Sequence, residues 1–441
     1  MTAGPRLAGK PPRARAWEVA RVASGNFLEM YDFMVFGYFA GAIGRAYFPA
    51  GDEIDTLLKS LATFGAAFLM RPLGAVILGA YADRRGRRAG LLLTLGLMGL
   101  GAITLTVTPG YFAIGLAAPL IVLTGRLVQG FSAGAELGAV SVYLAEIATP
   151  GHKGFYVSWQ SASQQVAVVV AAGMGALISL VLSPAELASW GWRIPLAVGC
   201  LIVPLIFLLR RNLDETAVFE AQKARPTLRE TIAGLWRGRA RVATGVALVL
   251  MTTVSFYTIT AYTPSFGHLL HLPDRANLAV TACVGLSNLI WLPAMAALSD
   301  RIGRKPILIA CTVLAILTAY PAMAWLAAGP SVVKLLAVEL WLSALYASYN
   351  AAMVVFLTEI VPPAVKTSGF SLAYSLATAF GGFTPFIATW LIKLTHDKAM
   401  PGAWLTGAAI ASLVATLISR EEGRAPRQVA AQRTLRSQAS G

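Results

Sequence analysis

Along its 441 residues the chain alternates long apolar runs with short clusters of charge, glycine and proline. Reading each run as a unit predicts helices over residues 24–48, 55–80, 88–108, 113–145, 155–182, 192–210, 242–268, 275–298, 305–327, 332–358, 367–394 and 401–419, numbered helix 1 to helix 12 in that order. These runs are close to the roughly 20 residues that cross the hydrocarbon of a bilayer. Backbone N–H and C=O groups find no water inside lipid, so such runs must close their hydrogen bonds as helices rather than leave open strands. The pattern therefore predicts an all-α polytopic membrane protein with 12 transmembrane helices.

Composition points the same way. Apolar residues make up 56% of the chain and charged residues 13%, about half the charged share of an average soluble domain. Too little polar surface remains to wrap these side chains in water. A net charge of +15 raises the question of nucleic acid, but the basic residues sit between the apolar runs. Of 36 Lys and Arg, 27 fall in the tails, the 2/3, 4/5, 8/9 and 10/11 connections and the segment 210–241. The positive-inside rule then expects both termini in the cytoplasm, and the charge orients the chain without any nucleic-acid partner. Residues 1–23 are polar and basic, and the apolar stretch behind them is too long for a cleaved signal, so the first span is expected to be retained. Cys200, Cys283 and Cys311 are too few and too scattered for a disulfide framework or a metal site. No metal and no cofactor is expected.

The chain also repeats itself. Asp83-Arg84-Arg85-Gly86-Arg87-Arg88 after helix 2 is answered by Asp300-Arg301-Ile302-Gly303-Arg304-Lys305 after helix 8, an offset of 217. Glu146, Pro150 and Lys153 after helix 4 are answered by Glu359, Pro363 and Lys366 after helix 10, an offset of 213. Two matches at nearly one offset imply two six-helix pseudo-repeats, with boundaries at 1–23 (cytoplasmic N-tail), 24–210, 211–241 (cytoplasmic central loop), 242–419 and 420–441 (cytoplasmic C-tail). That is a secondary-transporter plan, with a substrate site near mid-membrane between the halves.

On these residues the chain resembles the major facilitator superfamily: Gly79, Asp83, Arg84, Gly86, Arg87 and Arg88 look like its loop 2/3 signature, and Arg126 with Gly130 like its helix 4 signature. The second copy departs at Ala296, which stands where the first has Gly79. A narrower resemblance, to the metabolite:proton symporter family, rests on five stretches: Gly25 to Phe33 (GNFLEMYDF), Arg71 to Ala75 (RPLGA), Arg126 to Glu136 (RLVQGFSAGAE), Gly191 to Pro195 (GWRIP) and Leu213 to Phe219 (LDETAVF). Ala217 stands where that family more often has Pro. Within the family, overall likeness is greatest to the citrate:proton symporters and their tricarballylate-transporting relatives. The resemblance implies the major facilitator fold, no enzyme activity, a monomer in the cell inner membrane, and transport driven by the proton gradient.

The motifs have a physical reading of their own. Asp83 can cap a helix end and pair with Arg84 and Arg87 around the tight turn at Gly86, as Asp300 and Arg301 can in the second copy. Such a cluster serves either as a topology anchor or as a gate latch that also anchors. Glu146 with Lys153 and Glu359 with Lys366 are read as smaller versions of it. Charges inside the membrane are costly and must face the bundle interior. Rising about 1.5 Å per residue, helix 1 places Glu29 and Asp32 nearly one turn apart on one face. Helix 4 places Arg126 near mid-depth and Glu136 lower, Arg71 lies deep in helix 2, and the five are expected around one cavity. Guanidinium forks suit a carboxylate ligand; the alternative is that the arginines only neutralise Asp32, Glu29 and Glu136. Burial disfavours a charged carboxyl and a neighbouring arginine favours it, so those acids are proton-coupling candidates, Asp32 first.

Asn26, Tyr31, Gln129, Gln164, Tyr257, Tyr346 and Asn350 are neutral donors expected to complete the substrate site, or to bond a neighbouring helix. Lys393 is either a further anion contact or a snorkelling cation. Gly130, Gly134 and Gly138 form a small-residue stripe for close packing of helix 4, and Pro195, Pro204, Pro264, Pro293 and Pro385 are expected to bend helices. The leading expectation is proton symport of citrate or a related tricarboxylate by alternating access, the substrate being a small carboxylate within a lipid-embedded protein. Another organic anion, a dicarboxylate or an aromatic acid, stays open, and a zwitterionic osmolyte fits two buried arginines less well. A membrane-embedded enzyme finds no nucleophile-base or HExxH constellation, and a sensor would lack an output domain.

Overall fold

The computed structural model describes residues 12–50, 52–147, 153–211, 233, 236–360 and 366–419. Among them the secondary structure is helical throughout, and the long helices number twelve. Helix 1 is Pro12–Tyr38 continued by Ala40–Tyr47; helix 2 is Glu53–Leu69 continued by Arg71–Arg85; helices 3 to 6 are Arg87–Val107, Ala117–Ile147, Lys153–Val181 and Arg193–Arg210. Helix 7 is Arg239–Ile259 with Thr263–Leu269; helices 8 to 10 are Asp274–Ile302, Arg304–Ala328 and Val332–Ile360; helix 11 is Lys366–Gly381 with Thr384–Thr395, and helix 12 is Met400–Ile418. Ten of the twelve are apolar and long enough to cross a membrane by length and composition. The other two, helices 1 and 4, carry Glu29, Asp32, Arg126 and Glu136.

Helix 1 starts at Pro12 rather than at 24, because nothing between Arg13 and Ser24 breaks a helix and Arg21 donates to the Leu209 carbonyl at 3.0 Å. Helices 2, 7 and 11 are each interrupted where Pro72, Pro264 and Pro385 take the second position of the new segment and withhold an N–H from the preceding turn. Pro204 and Pro293 lie inside continuous helices, and Pro195 lies at the start of helix 6.

The two halves meet along helices 5 and 8 and along helices 2 and 11. Helix 4 lies backbone to backbone against helix 2: a Cβ on Gly130 would stand 1.7 Å from the Ala67 carbonyl oxygen, and one on Gly134 2.0 Å from that of Arg71. Gly138 has no described side-chain environment. Outward-facing apolar residues such as Leu201 and Ile290 are 74% and 72% exposed, a surface suited to lipid and costly in water.

The repeated loop motif has one backbone in both copies. Gly86 (φ 111°) and Gly303 (φ 100°) each end one helix and begin the next, donating to the carbonyls of Ala82 at 3.0 Å and Ser299 at 3.1 Å. An L-residue with a side chain is strained at such φ values. Arg301 is exposed. The side chains of Asp83, Arg84, Arg87, Glu146, Lys153, Asp300, Glu359 and Lys366 lie outside the described set, as do residues 212–232 of the central segment and the C-terminal tail.

Candidate functional site

The charged residues of helices 1, 2, 4 and 6 resolve into three buried acid–base pairs. In the first, Arg126 is fully buried and its Nη1 donates to Asp32 Oδ2 at 3.1 Å and to Gln129 Oε1 at 2.8 Å. Gln129, one turn along helix 4, donates its own amide to the same Asp32 oxygen at 2.7 Å. The guanidinium lies over the rings of Phe33 and Phe36 at 4.4 and 4.5 Å. Nε and Nη2 of Arg126, and Oδ1 of Asp32, have no hydrogen-bond partner among the described residues. Buried polar atoms of this kind are costly unless something arrives to bond them.

The second pair adjoins the first across one ring. Arg71 Nη2 donates to Glu29 Oε1 at 2.7 Å, and its guanidinium lies 5.1 Å from the same Phe33 centroid. Arg71 Nε and Glu29 Oε2 are again without partners. Phe68, beneath Arg71 at 4.7 Å, packs edge-on against Tyr257 of helix 7 at 5.0 Å, and Phe64 meets that tyrosine at 6.0 Å. The C-terminal half thus closes over the two arginines through Tyr257. Behind it, Phe256 contacts Tyr346 of helix 10 at 5.7 Å.

The third pair has a cation of its own. Glu136, expected with Asp32, bonds Arg210 of helix 6 and accepts the Thr94 hydroxyl at 2.7 Å. Arg210 is fully buried and also donates to the backbone carbonyls of Val22 at 2.9 Å and Leu91 at 3.2 Å. These bonds tie helices 1, 3, 4 and 6 together where Gly25 leaves room for the guanidinium, a Cβ there falling 2.2 Å from Arg210 Nη2. The five intramembrane charges therefore do not all pair with one another: Glu136, further along helix 4 than Arg126, has its own cation in Arg210. Arg210 reads in the sequence as the last residue of an apolar run, an anchor at the membrane edge, and its burial is visible only in the packed bundle.

Other expected donors divide. Asn26 donates to the Gln160 carbonyl and to Ser163 Oγ, both at 2.8 Å, and Tyr31 donates to the Pro195 carbonyl at 2.9 Å, so both hold helix 1 to its neighbours. Gln164 and Asn350 are buried, with Asn350 Oδ1 unpartnered. Lys393 is not at the arginine pairs: it stands at the end of the bundle opposite the termini, bonded to Asp55 and 3.8 Å from Asp52. There it joins helix 11 to the start of helix 2, and His268 of helix 7 lies 3.5 Å from Glu53 beside it. These contacts link the two halves across their far end.

The comparisons with known proteins agree with this architecture. The family described as "Sugar (and other) transporter" matches residues 19–234 and 219–419. The citrate-proton symporter of Salmonella typhi is 55% identical over 400 residues, covering 90% of this chain and 92% of that one. That of Klebsiella pneumoniae is 54% identical over 417 residues, 94% of each. Among solved structures, the xylose transporter XylE from E. coli in a partially occluded inward open conformation superposes with a TM-score of 0.75 at 17% identity, covering 93% of this chain and 99% of that one. At that identity the likeness speaks for the fold alone. By sequence match over nearly its whole length the chain belongs to the sugar (and other) transporter family, and its twelve-helix architecture is the major facilitator fold.

Proposed function

We propose that the chain is a proton symporter that takes up citrate or a closely related tricarboxylate by alternating access, with the Asp32–Arg126 pair at the centre of the site. The observation that carries this reading is the Arg126 guanidinium, fully buried, held by Asp32 and Gln129 through one nitrogen while Nε and Nη2 remain unbonded. Two parallel N–H groups are the complement of a carboxylate. Arg71, with a free Nε across the Phe33 ring, offers a second cation to a ligand with several negative groups.

Coupling follows from competition. Arriving carboxylate draws on the guanidinium that stabilises charged Asp32, so a proton on Asp32 then relieves the buried charge. Release of substrate on the other side returns the arginine to Asp32 and expels the proton. Alternating exposure requires the halves to part at one end while closing at the other, and the Lys393–Asp55 and His268–Glu53 contacts fit the role of closing the end opposite the termini. The similarity to citrate-proton symporters over 90% and more of the chain supports citrate as the substrate.

Uptake of labelled citrate into proteoliposomes, with and without an imposed pH gradient, tests the reading. Accumulation above equilibrium that collapses with the gradient is the expected result; uptake indifferent to the gradient, or none, refutes it. The orientation we infer, with both termini in the cytoplasm of a cell inner membrane, rests on the 27 basic residues of one side. Cysteines introduced into 212–232, on a background lacking the three native ones, should react with impermeant thiol reagents only from the cytoplasmic face, and labelling from outside would overturn it.

A further inference from the structure

A fourth buried acid lies far from the arginines. Glu339 on helix 10 is 1% exposed and seven residues beyond the helix start at Val332, about 10 Å along the axis at 1.5 Å per residue. Unlike Asp32, Glu29 and Glu136 it has no cation among the described residues. Among the described residues its bonded neighbour is the Thr263 hydroxyl, 3.1 Å from Oε1, and Oε2 is buried without a partner there. Of the charged groups near that end of the packed elements, Arg275 of helix 8 is exposed, Lys398 reaches the Leu269 carbonyl, and the rest are engaged elsewhere. Lys334 on the same helix reaches the Trp325 carbonyl, Asp274 of helix 8 bonds His268 of helix 7, Asp397 beyond helix 11 accepts from Tyr320 of helix 9, and Lys393 of helix 11 bonds Asp55. A bare carboxylate in that position would carry an uncompensated charge inside the membrane.

Hydrogen-bond counting decides its form. Thr263 Oγ1 has a single hydrogen to give, yet it stands 3.3 Å from the Thr258 carbonyl oxygen as well as 3.1 Å from Glu339. A carbonyl can only accept. An ionised Glu339 could only accept too, and the two would compete for one hydrogen. If Glu339 carries a proton, it donates to Thr263 Oγ1 and Thr263 donates to Thr258, so each of the two contacts has its own hydrogen and Oε2 stays a neutral carbonyl oxygen. The chain of bonds matters because it spans the break in helix 7: Pro264 has no N–H, and Tyr262 N–H passes the Thr258 carbonyl to bond that of Tyr257 at 3.0 Å. The short segment past the break, Thr263–Leu269, carries the His268 that contacts Glu53 of the other half.

Resting on the reading of the chain as a proton symporter, we propose that Glu339 is a second proton-binding carboxyl of the transport cycle, holding its proton while the Thr258–Thr263–Glu339 bonds brace the helix 7 break and giving it up when that break rearranges. The expected consequence is one additional proton carried per cycle.

The test uses the full-length protein. Glu339→Gln keeps the shape and an N–H for Thr263 but cannot titrate, and Thr263→Ser keeps the hydroxyl as a control for folding and packing. In infrared difference spectra the wild type and Thr263→Ser should show the carbonyl stretch of a protonated carboxyl that Glu339→Gln lacks. In proteoliposomes the proton:citrate ratio, read from the reversal potential, should fall by one in Glu339→Gln with citrate exchange retained, and stay unchanged in Thr263→Ser. An identical infrared band in wild type and Glu339→Gln overturns the proton on Glu339, and an unchanged ratio overturns its carriage. The band needs no substrate, so wild-type protein that fails to move citrate refutes the substrate reading without deciding this one.

Discussion

Exchanging Arg126 for lysine separates the shape of the cation from its charge. In the present arrangement one nitrogen of the guanidinium serves Asp32 at 3.1 Å and Gln129 at 2.8 Å, and two nitrogens remain for a ligand. Lysine brings one ammonium, which Asp32 and Gln129 occupy, and offers no second donor in the plane of a carboxylate. The stacking on Phe33 and Phe36 at 4.4 and 4.5 Å is lost in free and loaded protein alike, so it bears on stability and cancels from affinity. What remains is a charge-assisted hydrogen bond of about 1.5 to 3 kcal/mol, equivalent to a roughly ten- to hundredfold weaker Kd. Isothermal titration of citrate into purified Arg126→Lys, with size-exclusion elution matching the wild type, reads this directly. An unchanged Kd would reduce Arg126 to the counter-ion of Asp32 and leave Arg71, with its free Nε, as the anion contact.

Three further outcomes are expected. Asp32→Asn should abolish gradient-driven accumulation while citrate counterflow survives, and accumulation at the wild-type level would move the coupling proton to Glu29. Arg210→Met strands Glu136 as an unpaired buried charge, and breaking a buried pair in this way costs about 3–5 kcal/mol; detergent-solubilised protein should unfold at clearly lower temperature, the added change Glu136→Gln should restore much of the loss, and a single variant as stable as wild type would contradict the buried pairing. Gly130→Ala drives a methyl to within 1.7 Å of the Ala67 carbonyl oxygen, overpacking that costs about 1–3 kcal/mol or more; its thermal midpoint should fall, whereas an unchanged midpoint would mean that helices 2 and 4 do not lie in contact there.

Hydropathy and charge placement carry the membrane class, the twelve helices and the duplication, because a lipid solvent imposes helix length and hydrogen-bond closure on each segment separately. Asp32 and Arg126 were legible as interacting charges for a related reason: an ion in hydrocarbon must be partnered, and few candidates existed; that Gln129 bonds both came only from the packed bundle. Interruptions at Pro264 and Pro385 were expected from the absent N–H, but Pro204 and Pro293 lack one too and lie inside continuous helices, while Pro72 breaks helix 2 unforeseen, so the packed structure decides where a break falls. Which acid meets which base was not local. Helices tens of residues apart in sequence choose their partners by rotation about their axes and by how closely backbones approach. Glycines at 130 and 134 set helix 4 against helix 2, and Gly25 opens the space that Arg210 fills. Hence Arg210, at the end of an apolar run, became the partner of Glu136, and Lys393 reached Asp55 in the other half of the chain rather than the arginine pairs. Glu339 shows the same division: it is an acid within an apolar run, outside the five intramembrane charges read from the sequence, and that its hydrogen-bond partner among the described residues is one hydroxyl at the break of helix 7 depends on how helices 7 and 10 pack.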